Sequence, residues 1–235
     1  MVNIMKNAIT QNVPSAWYST LENFIVKGKN AEIWDSEDNR YLDFVGGYAV
    51  LNTGHLHPTV VEKVKIARYY TNKKSIISFK GGFHGRTYLA MGLTGKDKPY
   101  KEGFGPFPEF VKHALYPYSY RDISDDDALA SIKDLFKKTL NPDDTAAVVV
   151  EIQLGEGGYI PASNYFLKSL REICDYHNIL LIFDEVQTGY GRTGEMFGAE
   201  TVGVNPDLVT LAKGIAGGFP LAAVVGKAEI MDTIH

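Results

Sequence analysis

Two residues in this sequence stand where ordinary core packing would not put them. Asp184 closes the apolar run Leu180-Leu181-Ile182-Phe183 and is followed by a second acid, Glu185. A carboxylate at the end of a buried strand is costly unless a cation or strong donors meet it. Lys213 follows another apolar run, Leu208-Val209-Thr210-Leu211-Ala212, and precedes the small residues Gly214, Ala216, Gly217 and Gly218. If both runs are strands of one parallel sheet, both side chains reach the crevice at its carboxyl edge, where such sheets bind ligands. Small residues beside the lysine admit a flat ligand. Taken alone, the two residues are equally compatible with an internal ion pair.

Pyridoxal 5'-phosphate (PLP) chemistry has a separate use for each. A lysine amine forms the Schiff base and afterwards moves protons, and a carboxylate keeps the ring nitrogen protonated so that the ring can draw electrons. Phe83 and Val186 are placed to cover the two ring faces. Gln187 can donate a hydrogen bond to the ring hydroxyl.

Other motifs are weaker. Gly189-Tyr190-Gly191-Arg192-Thr193-Gly194 is formally GxGxxG, but five residues from Asp184 to Thr188 separate it from the strand, and Glu195-Met196-Phe197-Gly198 starts a helix poorly. Dinucleotide binding needs that context. Gly92 and Gly95-Lys96 lack the spacing of a phosphate loop, and Asp97 stands where Ser or Thr is required. His55 and His57 have no neighbouring thiol or carboxylate to complete a metal set, so no metal is expected. Cys174 reads as a small buried hydrophobe.

The elements that must position Asp184 and Lys213 can be read around them. Ser75–Phe79, Ala146–Glu151, Ile179–Phe183, Asp207–Leu211 and Leu221–Val225 read as strands. The β-branched run Ala146-Ala147-Val148-Val149-Val150 has the continuous apolarity of a strand buried on both faces. Ser163–His177 reads as a helix capped by Ser163, with Phe166, Leu167, Leu170, Ile173 and Cys174 on one face. Asp125, Asp126 and Asp127 open another helix, with Lys133, Lys137 and Lys138 towards its far end, a polarity that suits the helix dipole. Ala31–Phe44 reads as a hairpin about the turn-forming Asp35-Ser36-Glu37-Asp38-Asn39, followed by a loop ending at Pro58. The alternation predicts an α/β fold with a mainly parallel sheet and helices on both faces.

Composition bounds the function. The 235 residues can bury a sizeable core, and a net charge of −4 without a basic stripe argues against nucleic acid as a partner. One cysteine excludes a disulfide framework and suits a reducing compartment. No apolar run approaches the roughly 20 residues of a membrane span, and residues 1–20 lack the layout of a secretory signal. The expectation is a cytoplasmic chain with no membrane partner.

The segments LLIFDEVQTGYGRTG and DLVTLAKGIAGG, with VLNTGHLHP, FKGGFHGRTYLAMGLTGK, PYKEGFGPFP and GEGG, resemble class III (ω-) aminotransferases. They are most similar to the branch that converts 4-aminobutyrate. The resemblance implies a PLP fold type I large domain over residues 59–235 and, over residues 1–58, an N-terminal hairpin segment belonging to the small domain. It implies that Lys213 forms the Schiff base, Asp184 partners the ring nitrogen, Gln187 bonds the ring oxygen, and Phe83, His84 and Val186 complete the cofactor pocket. Arg86 would hold the carboxylate of the ω-amino acid. Glu156 would be the acid that masks a second arginine until 2-oxoglutarate arrives. A homodimer is implied as the working unit.

The chain departs from the family in three ways. Dozens of residues that the family carries between Val64 and Lys65 are missing here, including a small-residue turn at a helix N-terminus that holds the cofactor phosphate. A true excision through core elements would leave a remainder that folds poorly, so a longer protein whose mobile cofactor-binding and C-terminal parts are left out of this sequence is expected ahead of a deletion. The family also continues past the position of His235, with a further phosphate contact, the second substrate arginine and the C-terminal small domain, so an incomplete chain is expected. Finally, Glu151-Ile152-Gln153-Leu154-Gly155 replaces the usual EPVQG, and Tyr48 stands where an isoleucine is usual, as in ornithine-converting relatives. Ornithine, acetylornithine or a diamine is thus an alternative donor, and a non-catalytic fragment or cofactor-free scaffold is the alternative outside catalysis.

Overall fold

The computed structural model describes residues 25–29, 32–35, 40–42, 59–216 and 221–233. The chain divides into two compact units, Met1–Ala49 and Val50–His235. In the first, β1 (Ile25–Lys29), β2 (Glu32–Asp35) and β3 (Arg40–Leu42) form an antiparallel sheet in that order. The expected hairpin is its β2–β3 half, with Glu32 opposite Leu42 and Trp34 opposite Arg40. Strand β1 was not foreseen, because Ile25-Val-Lys-Gly-Lys29 has no alternation. Tyr48, His55, His57 and the loop to Pro58 lie outside the described residues.

The second unit is built on a six-stranded sheet. Its strands are β4 (Ser75–Phe79), β5 (Val111–Ala114), β6 (Thr145–Val150), β9 (Leu180–Asp184), β10 (Leu208–Leu211) and β11 (Ala223–Gly226). The short pair β7 (Gln153–Leu154) and β8 (Ile160–Pro161) lies apart from it. The sheet order is β11-β10-β9-β6-β4-β5, parallel throughout except for the antiparallel edge strand β11. The expected mainly parallel α/β sheet is therefore observed.

Alternation explains why its strands read as unbroken apolar runs. Ile76, Ala147, Val149, Leu180 and Ile182 point into one core, while Ile77, Val148, Val150, Leu181 and Phe183 point into the other. Helices cover both faces, so neither set of side chains meets water. The second core is closed by α3 (Asp125–Lys138) and α4 (Asn164–Tyr176). Ser163 caps α4 by accepting from the Phe166 backbone N–H at 3.0 Å. Ser124 and Asp127 make a reciprocal capping box on α3, and Lys137 and Lys138 sit in its last turn. Cys174 is fully buried on α4, and burial pushes its thiol up to about 12.

The first core is covered by α1 (Thr59–Thr71), α2 (Tyr88–Leu93) and α6 (Ala228–Met231). Helix α1 runs without a break through Val64 and Lys65, the join at which family residues are missing. Val64, Ile66 and Ala67 are all buried. The two sides of the join share one helical phase, so the apolar face continues across it.

Chain order reverses at β4, where the chain first steps outward to β5 and then returns to add β6 on the other side. The loops leaving β4 and β6 therefore diverge from neighbouring carboxyl ends and open a crevice between them. Gly95 secures the β4 loop: it accepts from the Gly81 N–H and donates to the Gly82 carbonyl. A Cβ on Gly95 would come within 2.0 Å of the Phe79 carbonyl oxygen, so only glycine fits. Its role is this close approach, not phosphate binding.

Phe166 is fully buried between the rings of Phe79 and Tyr116, at 5.7 and 6.0 Å. Phe166→Ala should cost about 3–5 kcal/mol of stability through lost burial and the cavity left behind. Denaturant unfolding measures this, and a loss under about 1 kcal/mol would contradict the packing described.

Candidate functional site

Parallel pairing sets Thr210 of β10 beside Asp184 of β9. Asp184 ends its strand, and Lys213 follows two residues after the end of β10, so both stand at the carboxyl edge of adjacent strands. Lys213 is part-buried and holds φ +47°, a left-handed backbone that a side chain rarely adopts. Its Nζ donates to the Gln187 Oε1 carbonyl. At Gly214 a Cβ would come 2.8 Å from the Tyr190 Cβ, so the small residue lets the two loops close on each other.

Asp184 is almost fully buried and takes four donors. Oδ2 accepts from Lys63 Nζ at 2.9 Å and from His84 Nδ1 at 2.7 Å. Oδ1 accepts from Thr210 Oγ1 at 3.1 Å and from the Val186 backbone N–H at 3.3 Å. Burial alone would raise the carboxyl, but the Lys63 charge and the His84 hydrogen bond outweigh it and hold it well below the usual carboxylate range. Burial lowers His84 despite that hydrogen bond, so a neutral ring with Nδ1–H donating to the carboxylate accounts for the contact.

Lys63, on α1, is the residue that sequence reading missed. It is 0% exposed and also reaches Thr210 Oγ1 at 3.3 Å. A lysine is almost never so buried without an ionic partner. One signal was present: an acid ending a buried strand calls for a cation. Lys213 was the obvious candidate, and nothing in the sequence brings Lys63 to the same place.

The neighbouring acid Glu185 turns the other way. It accepts from the backbone N–H groups of Gly198 at 2.5 Å and Ala199 at 2.9 Å, at the start of α5 (Gly198–Val202). The GxGxxG run before α5 is a string of turns, with positive φ at Tyr190, Gly191 and Gly194, and no helix opens at its glycines.

The other expected residues gather on the β4 and β6 loops. Phe83 donates its backbone N–H to Glu151 Oε1 at 2.8 Å, and its ring lies 4.9 Å from that of Tyr100. Arg86 is exposed and stacks over the same Tyr100 ring at 4.7 Å. Glu156 accepts from Tyr100 Oη at 2.5 Å. Thus Tyr100, absent from the expected set, joins Phe83, Arg86 and Glu156. Burial and the Glu156 carboxylate push its phenol up to about 12.

Electrostatics divide the crevice. Burial lowers the Lys213 amine, opposed by the charges of Asp184, Glu156 and Glu151. Glu151 is buried beside ionised Asp184, and burial followed by that charge pushes it up to about 8, even though it accepts from the N–H groups of Phe83 and Gly155. Folded Glu151 therefore keeps its proton to a higher pH than the unfolded chain does. Between the ordinary carboxylate value and about 8, unfolding releases a proton, so stability falls as pH rises. Wild-type stability measured against Glu151→Gln should decline from pH 5 to about 8 and then level off. A difference that does not change with pH would contradict this.

Comparison with known proteins identifies the family. Residues 14–67 and 63–235 match the family described as Aminotransferase class-III, in two pieces that meet at the join in α1. The chain is 43% identical to the 4-aminobutyrate aminotransferase GabT of Escherichia coli (strain K12) and 44% identical to the 5-aminovalerate aminotransferase DavT of Pseudomonas putida KT2440. In each case 90% of this chain aligns, with 62% of the relative. The chain thus spans under two thirds of those relatives. Each alignment runs over 264 positions, more than the 235 residues present, so it includes positions that this chain lacks. An amine transaminase from an uncultivated Pseudomonas species, solved in a PLP-bound form, superposes with a TM-score of 0.83 at 26% identity, covering 94% of this chain and 66% of that one. The sheet order, the crevice at its reversal point and the family match lead to one conclusion: the chain belongs to the class-III aminotransferases.

Proposed function

We propose that this chain carries the cofactor-facing part of a PLP-dependent aminotransferase. It would move the amino group of an ω-amino acid, 4-aminobutyrate first among them, to 2-oxoglutarate. The observation that carries this reading is Lys213 itself. It is a part-buried amine held below its ordinary range, at the carboxyl edge of a parallel sheet, next to the strand that ends in an ionised, buried carboxylate. Relatives named for 4-aminobutyrate and 5-aminovalerate, and a solved neighbour holding PLP, support the substrate class and the cofactor.

The residues fit the group in chemical type. PLP supplies an aldehyde that reacts with amines and a ring that draws electrons from the adjacent bond. Lys213 provides the amine, and its lowered pKa favours the neutral form needed to attack and then to carry a proton. Asp184, held ionised, suits a protonated ring nitrogen. The Gln187 amide, which already meets Lys213, has N–H donors at its other end for the ring oxygen. Phe83 and Val186 would cover the ring, with His84 holding Asp184 through its Nδ1 contact.

Arg86 would bind the substrate carboxylate as a planar, two-pronged donor, with its stem steadied on Tyr100. Glu156 would serve as the acid that switches the pocket between its two substrates, resting on the Tyr100 hydroxyl. Tyr48 would influence donor choice. The partner subunit of a homodimer would complete the site, and the cytoplasm is the expected setting; among the described residues no helix is long and apolar enough to cross a membrane.

A second reading, a cofactor-free scaffold, is favoured by one specific observation: Asp184, the carboxylate that a protonated ring nitrogen would pair with, already pairs with Lys63. Adding PLP separates the two readings. The aminotransferase reading expects a near-visible absorbance band that is lost in Lys213→Ala, and amino transfer from 4-aminobutyrate ahead of ornithine, N-acetylornithine and putrescine. If no band depends on Lys213, the aminotransferase reading fails.

A further inference from the structure

The described crevice contains a cation that the reaction does not call for. Lys63 enters from α1, fully buried, and donates to Asp184 Oδ2 at 2.9 Å. A carboxylate offers about four lone-pair sites. On Asp184 all four have donors: Lys63 and His84 on Oδ2, and Thr210 and the Val186 N–H on Oδ1. Three of these belong to rigid parts of the fold. Thr210 lies on β10 and the Val186 N–H just past β9, and His84 is anchored by its backbone N–H to Thr94 Oγ1 at 3.1 Å. Lys63 is the only one of the four on a long, flexible side chain, and the only one whose charge a ring N–H⁺ would replace.

We propose that Lys63 is an internal counter-ion that competes with the PLP ring nitrogen for Asp184 Oδ2, so that the cofactor binds only by displacing it. This rests on the PLP reading above. The physical basis is an exchange of cations on one buried carboxylate. Without cofactor, Lys63 spares the protein an unpaired buried charge, which would be strongly destabilising. With cofactor, two cations cannot share Oδ2 together with His84, and the ammonium must move out. Cofactor affinity is then reduced by the free energy of breaking the internal pair, whereas a ligand without a ring cation makes no such exchange and leaves Lys63 on Asp184.

The test compares two proteins and two ligands, reading equilibrium dissociation constants from protein fluorescence and the cofactor band rather than from turnover. The proteins are the wild type and Lys63→Met. The ligands are PLP and its analogue with C–H in place of the ring nitrogen, which has nothing to offer Asp184. Lys63→Met should tighten PLP at least tenfold and leave the analogue within about twofold of wild type. Lys63→Arg should bind PLP as weakly as wild type. Lys63→Gln keeps a neutral donor for Asp184 and serves if Lys63→Met does not fold; it should show a smaller gain, again for PLP alone. Unchanged or weaker PLP binding in the neutral variants, or an equal gain for both ligands, overturns the proposal while leaving the PLP reading intact. If no protein of the set acquires a Lys213-dependent band, the PLP reading falls and the proposal with it.

Discussion

A single buried charge organises the second unit of this chain. Asp184 lies at the end of a strand whose other residues are apolar, and removing its carboxylate from water is affordable only because four donors converge on it. Those donors come from different places in the chain: helix α1, the loop after β4, the turn after β9 and strand β10. Satisfying the carboxylate therefore fixes how these pieces meet. The site is also the point where the second unit's helix, loop and sheet are tied together.

The same requirement governs the rest of the crevice. A parallel sheet covered on both faces leaves its strand ends open, and the reversal of chain order at β4 separates two loops there. Each loop contributes groups of opposite demand. Glu151 accepts two backbone N–H groups, yet burial, reinforced by the charge of Asp184, keeps it protonated to about pH 8. Only one of the two acids is ionised in the neutral range, and the difference follows from their partners. Asp184 has a cation in direct contact, whereas the hydrogen bonds to the Glu151 carboxyl come from the Phe83 and Gly155 amides.

Much of this was legible in advance. The strands β4, β6, β9 and β10, the capped helix α4 and the acid-led helix α3 follow from apolar runs, capping residues and charge order. Asp184 and Lys213 were legible because an acid and a lysine closing buried strands violate local expectation. Strand β5 was not, since Val111-Lys-His-Ala114 has neither alternation nor a β-branched run; it forms because β4 offers an edge with matching register. Tyr100 was not, because a tyrosine in a glycine- and lysine-rich loop carries no pattern. Its contacts with Phe83, Arg86 and Glu156 depend on how three loops fold together.

By itself the sequence determined the fold class, the family signature and the two ionisable residues at the strand ends, because those depend on local periodicity and on residue types whose burial is costly. Tertiary structure decided which cation meets Asp184. Lys63 lies more than a hundred positions before it in the chain and looks like any surface lysine of an amphipathic helix. Only the packing of α1 against the sheet turns it inward, where loss of water makes the nearest carboxylate its necessary partner.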